Sequence, residues 1–298
     1  MQTKSIWSNL TIILGASLCL YACGGGGGGS APASTSVSTT PTTQTTTSNV
    51  ATPQPPPVVA GTTTQVKLLA LYTDGVAAQF NSPDLRIAHL VNVANDVMST
   101  SGVDIHFSLE HIEWVDYSDT IPITQALDDL TPTNSNAGAS GLAGVAALRN
   151  QVEADLVVLF RPYANDGHCG YAWIGGFGTQ GDFSNPAEDD YGYSVVSSNC
   201  SDYTLVHELG HNLGLAHSRR ESTEGGTFGY AVGYGMDREF VTIMASPTEF
   251  DAAQLPKLSS PSLICNTFPC GVDHTDSVAG SDAVRALNFS KDAVAAYR

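Results

Sequence analysis

Residues 207–217 read HELGHNLGLAH, and this stretch limits the possible folds and chemistries of the chain more than any other. His207 and His211 are four residues apart, so a helix would place both imidazoles on one face, one turn apart. Glu208 follows the first histidine and can reach a water molecule at a metal ion without being a ligand. The stretch therefore predicts a helix that binds a metal ion and carries a carboxylate beside it.

The second half of the stretch supplies a third histidine. Gly214 can adopt the left-handed conformation that ends a helix and turns the chain, and His217 follows it three residues later. We therefore expect His217 to return toward the helix as a third ligand. Three imidazoles with one open position are typical of catalytic zinc, whereas structural zinc is usually enclosed by four protein ligands. An amphipathic helix with surface histidines would explain the leucines of the stretch but not the histidine spacing.

The motif HExxHxxGxxH resembles that of the metzincin clan of zinc endopeptidases. Members of the clan also have a methionine in a tight turn beneath the metal, the Met-turn, and residues 242–246 (TIMAS) place Met244 at a suitable position downstream. The resemblance implies that the three histidines bind one zinc ion and that Glu208 is the general base in peptide hydrolysis. The closing part of the chain is similar to bacterial reprolysin-like metzincins, including the peptidyl-Asp metallopeptidase group.

Apolar periodicity predicts alternating strands and helices before the zinc-binding helix. The predicted strands are 65–72, 104–109, 112–117, 155–160 and 193–198, and the predicted helices are 84–100, 141–153 and 282–297. Ser201 and Asp202 are expected to cap the zinc-binding helix, which begins near Tyr203. The resemblance implies an α/β (α+β) metzincin-like fold. It has a twisted, mostly parallel sheet with an antiparallel edge strand, two backing helices plus the zinc helix, and a smaller irregular C-terminal subdomain ending in a helix.

The resemblance also assigns substrate binding to the strand before the zinc-binding helix. An exposed sheet edge can pair with an extended peptide through ladder hydrogen bonds. The residues at this position are Gly170, Tyr171, Ala172 and Trp173. The alternative is an ordinary strand with a tryptophan in the core. The peptidyl-Asp resemblance further calls for a cation in the specificity pocket. The arginines nearest to the motif are Arg219, Arg220 and Arg238, for each of which a surface position is the alternative.

Four cysteines lie in the globular part of the chain: Cys169, Cys200, Cys265 and Cys270. An even number in an exported chain indicates two disulfides. Cys265 and Cys270 form the natural local pair, which leaves Cys169 to pair with Cys200 just before the zinc-binding helix. Free buried thiols are the alternative.

The first residues have the features of an export signal. Residues 1–23 combine a lysine, an apolar run and the ending LYAC, which resembles a bacterial lipobox with Cys23 as the lipidated residue. Residues 24–63 contain mostly Gly, Ser, Thr, Pro and Ala and are expected to form a linker. The catalytic domain is therefore predicted to span residues 64–298 on an outer-membrane or cell-surface lipoprotein. An ordinary signal peptide and a secreted protein are the alternative.

The charge balance restricts the partners of the protein. With 12 basic and 29 acidic residues, the formal net charge is −17, which argues against nucleic acid and against anionic lipid. We expect a monomer that acts on peptides and meets a membrane only through the lipid anchor. An acidic segment could bind Ca²⁺, although a solvated loop fits its spacing better; its carboxylates are Asp182, Glu188, Asp189 and Asp190. The alternative function is a catalytically inactive, surface-tethered metal- or peptide-binding protein of the same fold.

Overall fold

A computed structural model describes residues 63–134, 141–221 and 224–298 of the chain. The predicted signal peptide, its Cys23 and the linker up to residue 62 lie outside the described residues. Within the described ranges, no helix combines the length and the apolar character needed to cross a membrane.

A five-stranded sheet forms the centre of the described fold, and its last strand along the chain leads into the helix that contains His207 and His211. Its strands are β1 (Thr64–Tyr72), β2 (Ile105–Trp114), β3 (Leu156–Arg161), β4 (Gly170–Ala172) and β5 (Tyr193–Ser197). The strand order is β2-β1-β3-β5-β4. Strands β2, β1, β3 and β5 are parallel to one another, whereas β4 pairs antiparallel with β5 at the edge of the sheet. The predicted mostly parallel sheet with an antiparallel edge strand is therefore confirmed.

Helices pack against both faces of this sheet. The helices of the described chain are α1 (Asp74–Gln79), α2 (Pro83–Thr100), α3 (Ile123–Leu130), α4 (Val145–Gln151), a 3₁₀ helix (Pro186–Tyr191), α5 (Thr204–Asn212), α6 (Pro247–Phe250) and α7 (Ala283–Val294). Alternate side chains of β1 enter different cores, as the two-residue period of a strand requires. Leu68 packs in the core shared by α2, α5 and α7, whereas Leu69 packs in the core shared by α3 and α4. Because both faces are buried, the inner strands are almost continuously apolar.

The prediction of two strands at 104–109 and 112–117 was wrong, because β2 is continuous. Leu68 of β1 pairs with Leu109, but Leu69 pairs with His111, so Glu110 is an extra residue in β2. Such a β-bulge shifts the side-chain alternation by one residue without ending the strand. The shift in the apolar pattern therefore indicated a turn where the structure has a bulge.

Other boundaries also differ from the predicted ones. The helix expected over 141–153 is the shorter α4, preceded by turns, and neither α1 nor α3 was predicted. The predicted capping of α5 by Ser201 and Asp202 is not formed as expected. Tyr203 is the N-cap residue and makes no side-chain cap, although its amide donates to the Ser201 hydroxyl over 3.2 Å. Asp202 instead accepts hydrogen bonds from Arg86 and His89 of α2, so a tertiary ion pair uses its carboxylate.

The chain after α5 is irregular, as predicted. It contains two short hairpins, β6 (Gly235–Met236) with β7 (Phe240–Val241) and β8 (Ile264–Cys265) with β9 (Phe268–Pro269). A disulfide between Cys265 and Cys270 closes the second hairpin. The final helix α7 packs into the core beneath the sheet through residues that include Leu287 and Val294. The C-terminal part is thus joined to the sheet through a common core.

Candidate active site

Helix α5 presents its polar side chains to a cavity of about 540 Å³. Leu205, Val206 and Leu209 are fully buried in the core beneath the sheet, which fixes the rotation of the helix. The remaining side of the helix carries His207 and Glu208, which line the cavity with His211. The helix therefore buries its apolar side chains in the core and has the motif residues on the cavity side.

The three histidines of the motif converge on one point. The Nε2 atoms of His207 and His217 are 3.0 Å apart, and the Nε2 atom of His211 lies 3.2 Å from each of them. Nitrogen ligands at about 2.0–2.1 Å around a tetrahedral ion would lie about 3.3–3.4 Å apart. Among the described residues, these three form the one group of His, Cys, Asp and Glu side chains that could hold a metal ion.

Backbone carbonyls set the orientation of two of these imidazoles. Nδ1 of His207 donates to the carbonyl of Ile243 over 2.8 Å, and Nδ1 of His211 donates to the carbonyl of Leu215 over 2.8 Å. With the proton on Nδ1, each Nε2 presents a lone pair to the centre of the group. Facing lone pairs repel one another, so a cation at this point would stabilise the arrangement.

The electrostatic environment favours neutral imidazoles. Burial, and after it the neighbouring His217, lowers the pKa of His207 to about 4. Burial also lowers the pKa of His211 well below its usual value, and the other two histidines act in the same direction. Burial lowers the pKa of His217 as well, against the opposing effect of the Glu221 charge. Neutral imidazole is the form that binds a metal ion, so the residues present fit such a group.

The turn after α5 brings His217 back to the helix. Gly214 has a φ of 98°, in the left-handed region that favours glycine. A Cβ on Gly214 would also lie 2.8 Å from the Thr227 side chain, so Thr227 leaves no space for a side chain at residue 214. The turn has the geometry that the spacing predicted.

Glu208 lies beside the three histidines and is 4% exposed. Burial raises its pKa well above the usual value, and burial is the one cause of the shift. Its carboxylate packs against Gly170 of β4: a Cβ added to Gly170 would be 2.1 Å from Oε1. The carboxylate therefore packs against the sheet edge, and Glu208 lines the same cavity as the three histidines.

Met244 is buried in a tight turn below α5. The amide of Ala245 donates to the carbonyl of Thr242 over 3.0 Å, which closes the turn around Met244. A Cβ on Gly210 would lie 2.8 Å from the Met244 sulfur, so the sulfur packs against α5 between His207 and His211. The turn that contains Met244 also includes Ile243, whose carbonyl orients His207.

The edge strand borders the same cavity but is shorter than expected. Gly170, Tyr171 and Ala172 form β4 and line the cavity. Trp173 lies beyond the end of β4 and is half-buried, and its indole Nε1 donates to the Thr131 hydroxyl over 2.8 Å. Trp173 therefore packs against the region of α3, so the substrate-binding strand that was expected over 170–173 was one residue too long.

Both predicted disulfides are present. Cys169, directly before β4, is bonded to Cys200, which precedes α5. The Cys169 carbonyl also accepts a hydrogen bond of 2.7 Å from the amide of Ser197 in β5. The start of the edge strand is therefore held to both β5 and the segment that leads into the histidine helix.

The arginines considered for substrate recognition lie outside the cavity. Arg219 donates to the carbonyls of Gly229 and Gly280, Arg220 pairs with Asp237, and Arg238 is exposed. Among the described residues that line the cavity, His168 is the one basic side chain besides the three histidines.

The four acidic residues of 182–190 are not brought together as a metal-binding group. Asp189 pairs with Arg298, and Glu188 accepts from the amide of Gly176.

Two residues of the site were missed in the sequence. Glu221 lines the cavity and accepts hydrogen bonds from the Ser218 hydroxyl and the Ser246 amide. Asn212 donates from its side-chain nitrogen to the carbonyl of Trp173, directly after β4, and to that of Tyr193, the first residue of β5. In the sequence, Glu221 stands four residues after the third histidine, and Asn212 directly follows the second. Their positions alone do not indicate a role, because the segments that they contact are distant in the chain.

The chain belongs to a family of metallopeptidases. Residues 62–273 match the family described as "Metallo-peptidase family M12B Reprolysin-like". The resemblance to reprolysin-like metzincins, predicted from the histidine motif together with the closing part of the chain, is therefore confirmed.

The relatives of the chain have a narrower description. Over 254 residues it is 32% identical to "Peptidyl-Asp metalloendopeptidase" of Pseudomonas aeruginosa, which covers 78% of this chain and 40% of that relative. Over 241 residues it is 24% identical to the protein of the same name from Xanthomonas campestris pv. campestris, which covers 80% of this chain and 53% of the relative. The chain thus spans about half the length of these relatives, or less.

A solved structure supports the fold. The structure named "Structure of a chaperone-substrate complex" superposes with a TM-score of 0.59 and 20% sequence identity, over 80% of this chain and 35% of the other. At this identity the similarity concerns the fold alone.

Proposed function

We propose that the chain is a zinc-dependent endopeptidase that hydrolyses internal peptide bonds of extracytoplasmic proteins. The observation that carries the proposal is the convergence of three Nε2 atoms within 3.2 Å of one another beside the buried carboxylate of Glu208. A metal store would not require an uncoordinated carboxylate at the mouth of the metal site. Hydrolysis requires such a group, because a proton must leave the attacking water.

His207, His211 and His217 would hold the metal, and Met244 would support the site from below. Three imidazoles with an open position favour Zn²⁺ over harder cations, which prefer oxygen ligands. When bound, zinc supplies positive charge that polarises the scissile carbonyl and lowers the pKa of a water molecule. The backbone carbonyls of Ile243 and Leu215 hold two of the imidazoles in the tautomer that this role needs.

Glu208 is assigned the proton transfers. Its raised pKa makes the carboxylate a stronger proton acceptor than an exposed glutamate. In the proposed reaction the carboxylate takes a proton from the water that attacks the scissile carbon. The same proton is then delivered to the amine nitrogen as the C–N bond breaks, so Glu208 is regenerated. Burial between β4 and α5 keeps bulk water from competing for that proton.

The peptide substrate would lie along β4. One edge of this strand pairs with β5, and its other edge pairs with no strand in the described part of the chain. Backbone groups of Gly170, Tyr171 and Ala172 can therefore form ladder hydrogen bonds with an extended peptide. This position brings the peptide past Glu208 and the histidines within one cavity. The relatives named peptidyl-Asp metalloendopeptidase make acidic side chains the first preference to test.

Two disulfides support a site of action in an oxidising compartment. Together with the signal features of residues 1–23, they lead us to propose export, with Cys23 as a lipid anchor. Mass analysis of the mature N-terminus tests the anchor. A diacylated or triacylated Cys23 is the expected result, and an unmodified N-terminus generated by a signal peptidase would contradict it.

The enzymatic function is tested with the purified protein. We expect one zinc ion per chain by elemental analysis, casein cleavage that a chelator abolishes, and recovery of cleavage when zinc is restored. Glu208→Gln should keep the zinc and lose at least about 100-fold in rate, as typical of a general acid–base group. A zinc-loaded wild-type protein without cleavage would instead support the inactive binding protein. A randomised peptide library then measures the side-chain preference.

A further inference from the structure

The contact between Gly170 and Glu208 leaves no room for a side chain at residue 170. A Cβ built on Gly170 would lie 2.1 Å from Oε1 of Glu208, 2.5 Å from its Cδ and 2.6 Å from its Cγ. The three nearest atoms all belong to this one glutamate. The space that any other residue would fill with its side chain is therefore occupied by the carboxylate.

Packing restricts where this carboxylate can lie. Glu208 is buried, and the backbone of Gly170 approaches its Oε1, Cδ and Cγ atoms closely. A glutamate has three rotatable side-chain bonds, so the walls of its pocket must select the rotamer. The backbone of Gly170 is one of those walls.

The backbone of Gly170 is fixed by strand pairing and by a neighbouring disulfide. Gly170 pairs with Val196 of β5, and its neighbour Cys169 is bonded to Cys200. The carbonyl of Cys169 also accepts from the amide of Ser197 over 2.7 Å. A methyl group at residue 170 would therefore move the flexible end of Glu208 and leave the strand in place.

We propose that Gly170 is a positioning residue, whose missing side chain provides the space in which the Glu208 carboxylate is held beside the histidine group. Its kinetic consequence rests on the proposed function. The role is additional to backbone hydrogen bonding with substrate, which any residue at 170 could perform. It requires glycine for steric reasons alone, since Gly170 is absent from the residues with positive φ in the described chain.

Gly170→Ala tests the proposal. We expect kcat to fall about 10- to 100-fold, since a misplacement of about 1 Å can cost 100-fold. Zinc content and thermal midpoint should stay close to those of the wild type, and KM should change less than threefold, because the strand edge is retained. The matched control is Gly144→Ala, since a Cβ on Gly144 meets no atom within 4 Å. A crystal structure of Gly170→Ala should show the carboxylate displaced.

Two outcomes would overturn the positioning role: kcat of Gly170→Ala within twofold of the wild type, or a carboxylate that has not moved. If Gly170→Ala folds poorly, Gly170→Ala/Glu208→Ala removes the clashing atoms. This double variant should then be more stable than Gly170→Ala, and equal instability would also reject the proposal. If the wild type does not cleave peptides, the proposed function fails, while the crystal structure still decides where the carboxylate lies.

Discussion

The amide of Ser246 donates a hydrogen bond of 3.0 Å to the carboxylate of Glu221. The same carboxylate oxygen accepts from the hydroxyl of Ser218, directly after the third histidine, over 2.6 Å. Glu221 therefore joins the segment that carries His217 to the turn that contains Met244. Its negative charge also acts on His217, opposing the lowering of the histidine pKa by burial.

Replacing Glu221 should weaken metal binding without unfolding the protein. Groups that support metal ligands typically contribute 10- to 100-fold to metal affinity, and we expect a loss in this range for Glu221→Ala. The measurement is a competition titration with a chromophoric zinc chelator. Glu249→Ala removes an exposed carboxylate from the neighbouring α6 and is the control. Equal zinc affinities for the two variants would contradict the role of Glu221.

Glu208→Gln should stabilise the metal-free protein at neutral pH. Burial raises the pKa of Glu208 in the folded state above its value of about 4.5 in the unfolded chain. Above that pH the unfolded state loses the proton more readily, so the buried carboxyl group increasingly destabilises the folded state. Removing the charge should increase the free energy of unfolding at pH 7 by about 1 to 3 kcal/mol. The gain should shrink toward pH 4, where the wild-type carboxyl is protonated in both states. Urea unfolding at several pH values measures this, and a variant that is less stable than wild type at pH 7 would refute it.

The histidine group should make the metal-free protein sensitive to acid. The pKa of His207 is about 4 in the folded state, against about 6.5 in an unfolded chain, so the unfolded state binds protons first. Stability is therefore complete above pH 6.5 and is lost as the pH falls toward 4, by up to about 1.4 kcal/mol per pH unit for each such histidine. In chemical unfolding, the free energy of unfolding of His207→Gln should depend less steeply on pH between pH 6.5 and 4.5 than that of the wild type. Parallel curves for the two proteins would show that the shift does not exist.

Asn212 should contribute to stability by joining α5 to the sheet edge. Its side-chain nitrogen lies 3.2, 3.1 and 3.0 Å from the carbonyl oxygens of Trp173, Tyr191 and Tyr193, which share its two hydrogens. Asn212→Ala leaves these carbonyls without that donor, and we expect a loss of about 2 to 3 kcal/mol.

Asn288→Ala is the matched control, because the side-chain amide of Asn288 makes two solvent-exposed hydrogen bonds to backbone groups. Its loss should be at most about 1 kcal/mol. Chemical unfolding of both variants decides the comparison, and an Asn212 variant no weaker than the Asn288 variant would count against the assignment.

The two disulfides should differ in their contribution to stability. The Cys169–Cys200 bond spans a sequence separation of 31, and Cys265–Cys270 spans 5. The chain-entropy model gives about 3.7 kcal/mol for the longer loop and about 2.2 kcal/mol for the shorter one. Paired cysteine-to-serine variants under non-reducing conditions measure both. If the shorter loop proves the more stabilising, strain or unfolded-state structure outweighs loop closure.

Local patterns in the chain contain most of the architecture. Strands β1, β3 and β5 and helices α2 and α7 are long apolar runs or strongly periodic segments, so their positions could be predicted closely. The short helices α1 and α3 and the bulge at Glu110 could not be. Their formation depends on the face of the sheet that they cover or on the register with β1, and both are long-range relationships.

The sequence by itself determined which side chains form the candidate site, because the three histidines and Glu208 lie within eleven consecutive residues. Helical spacing and the turn at Gly214 are enough to bring three imidazoles together. Only the tertiary structure decided what surrounds them: the Ile243 carbonyl that orients His207, the Glu221 bond to Ser246, and the backbone of Gly170 against the Glu208 carboxylate. These contacts join segments that are far apart in the chain. Their partners are selected by packing and hydrogen-bond satisfaction in the folded state, which local sequence patterns do not encode.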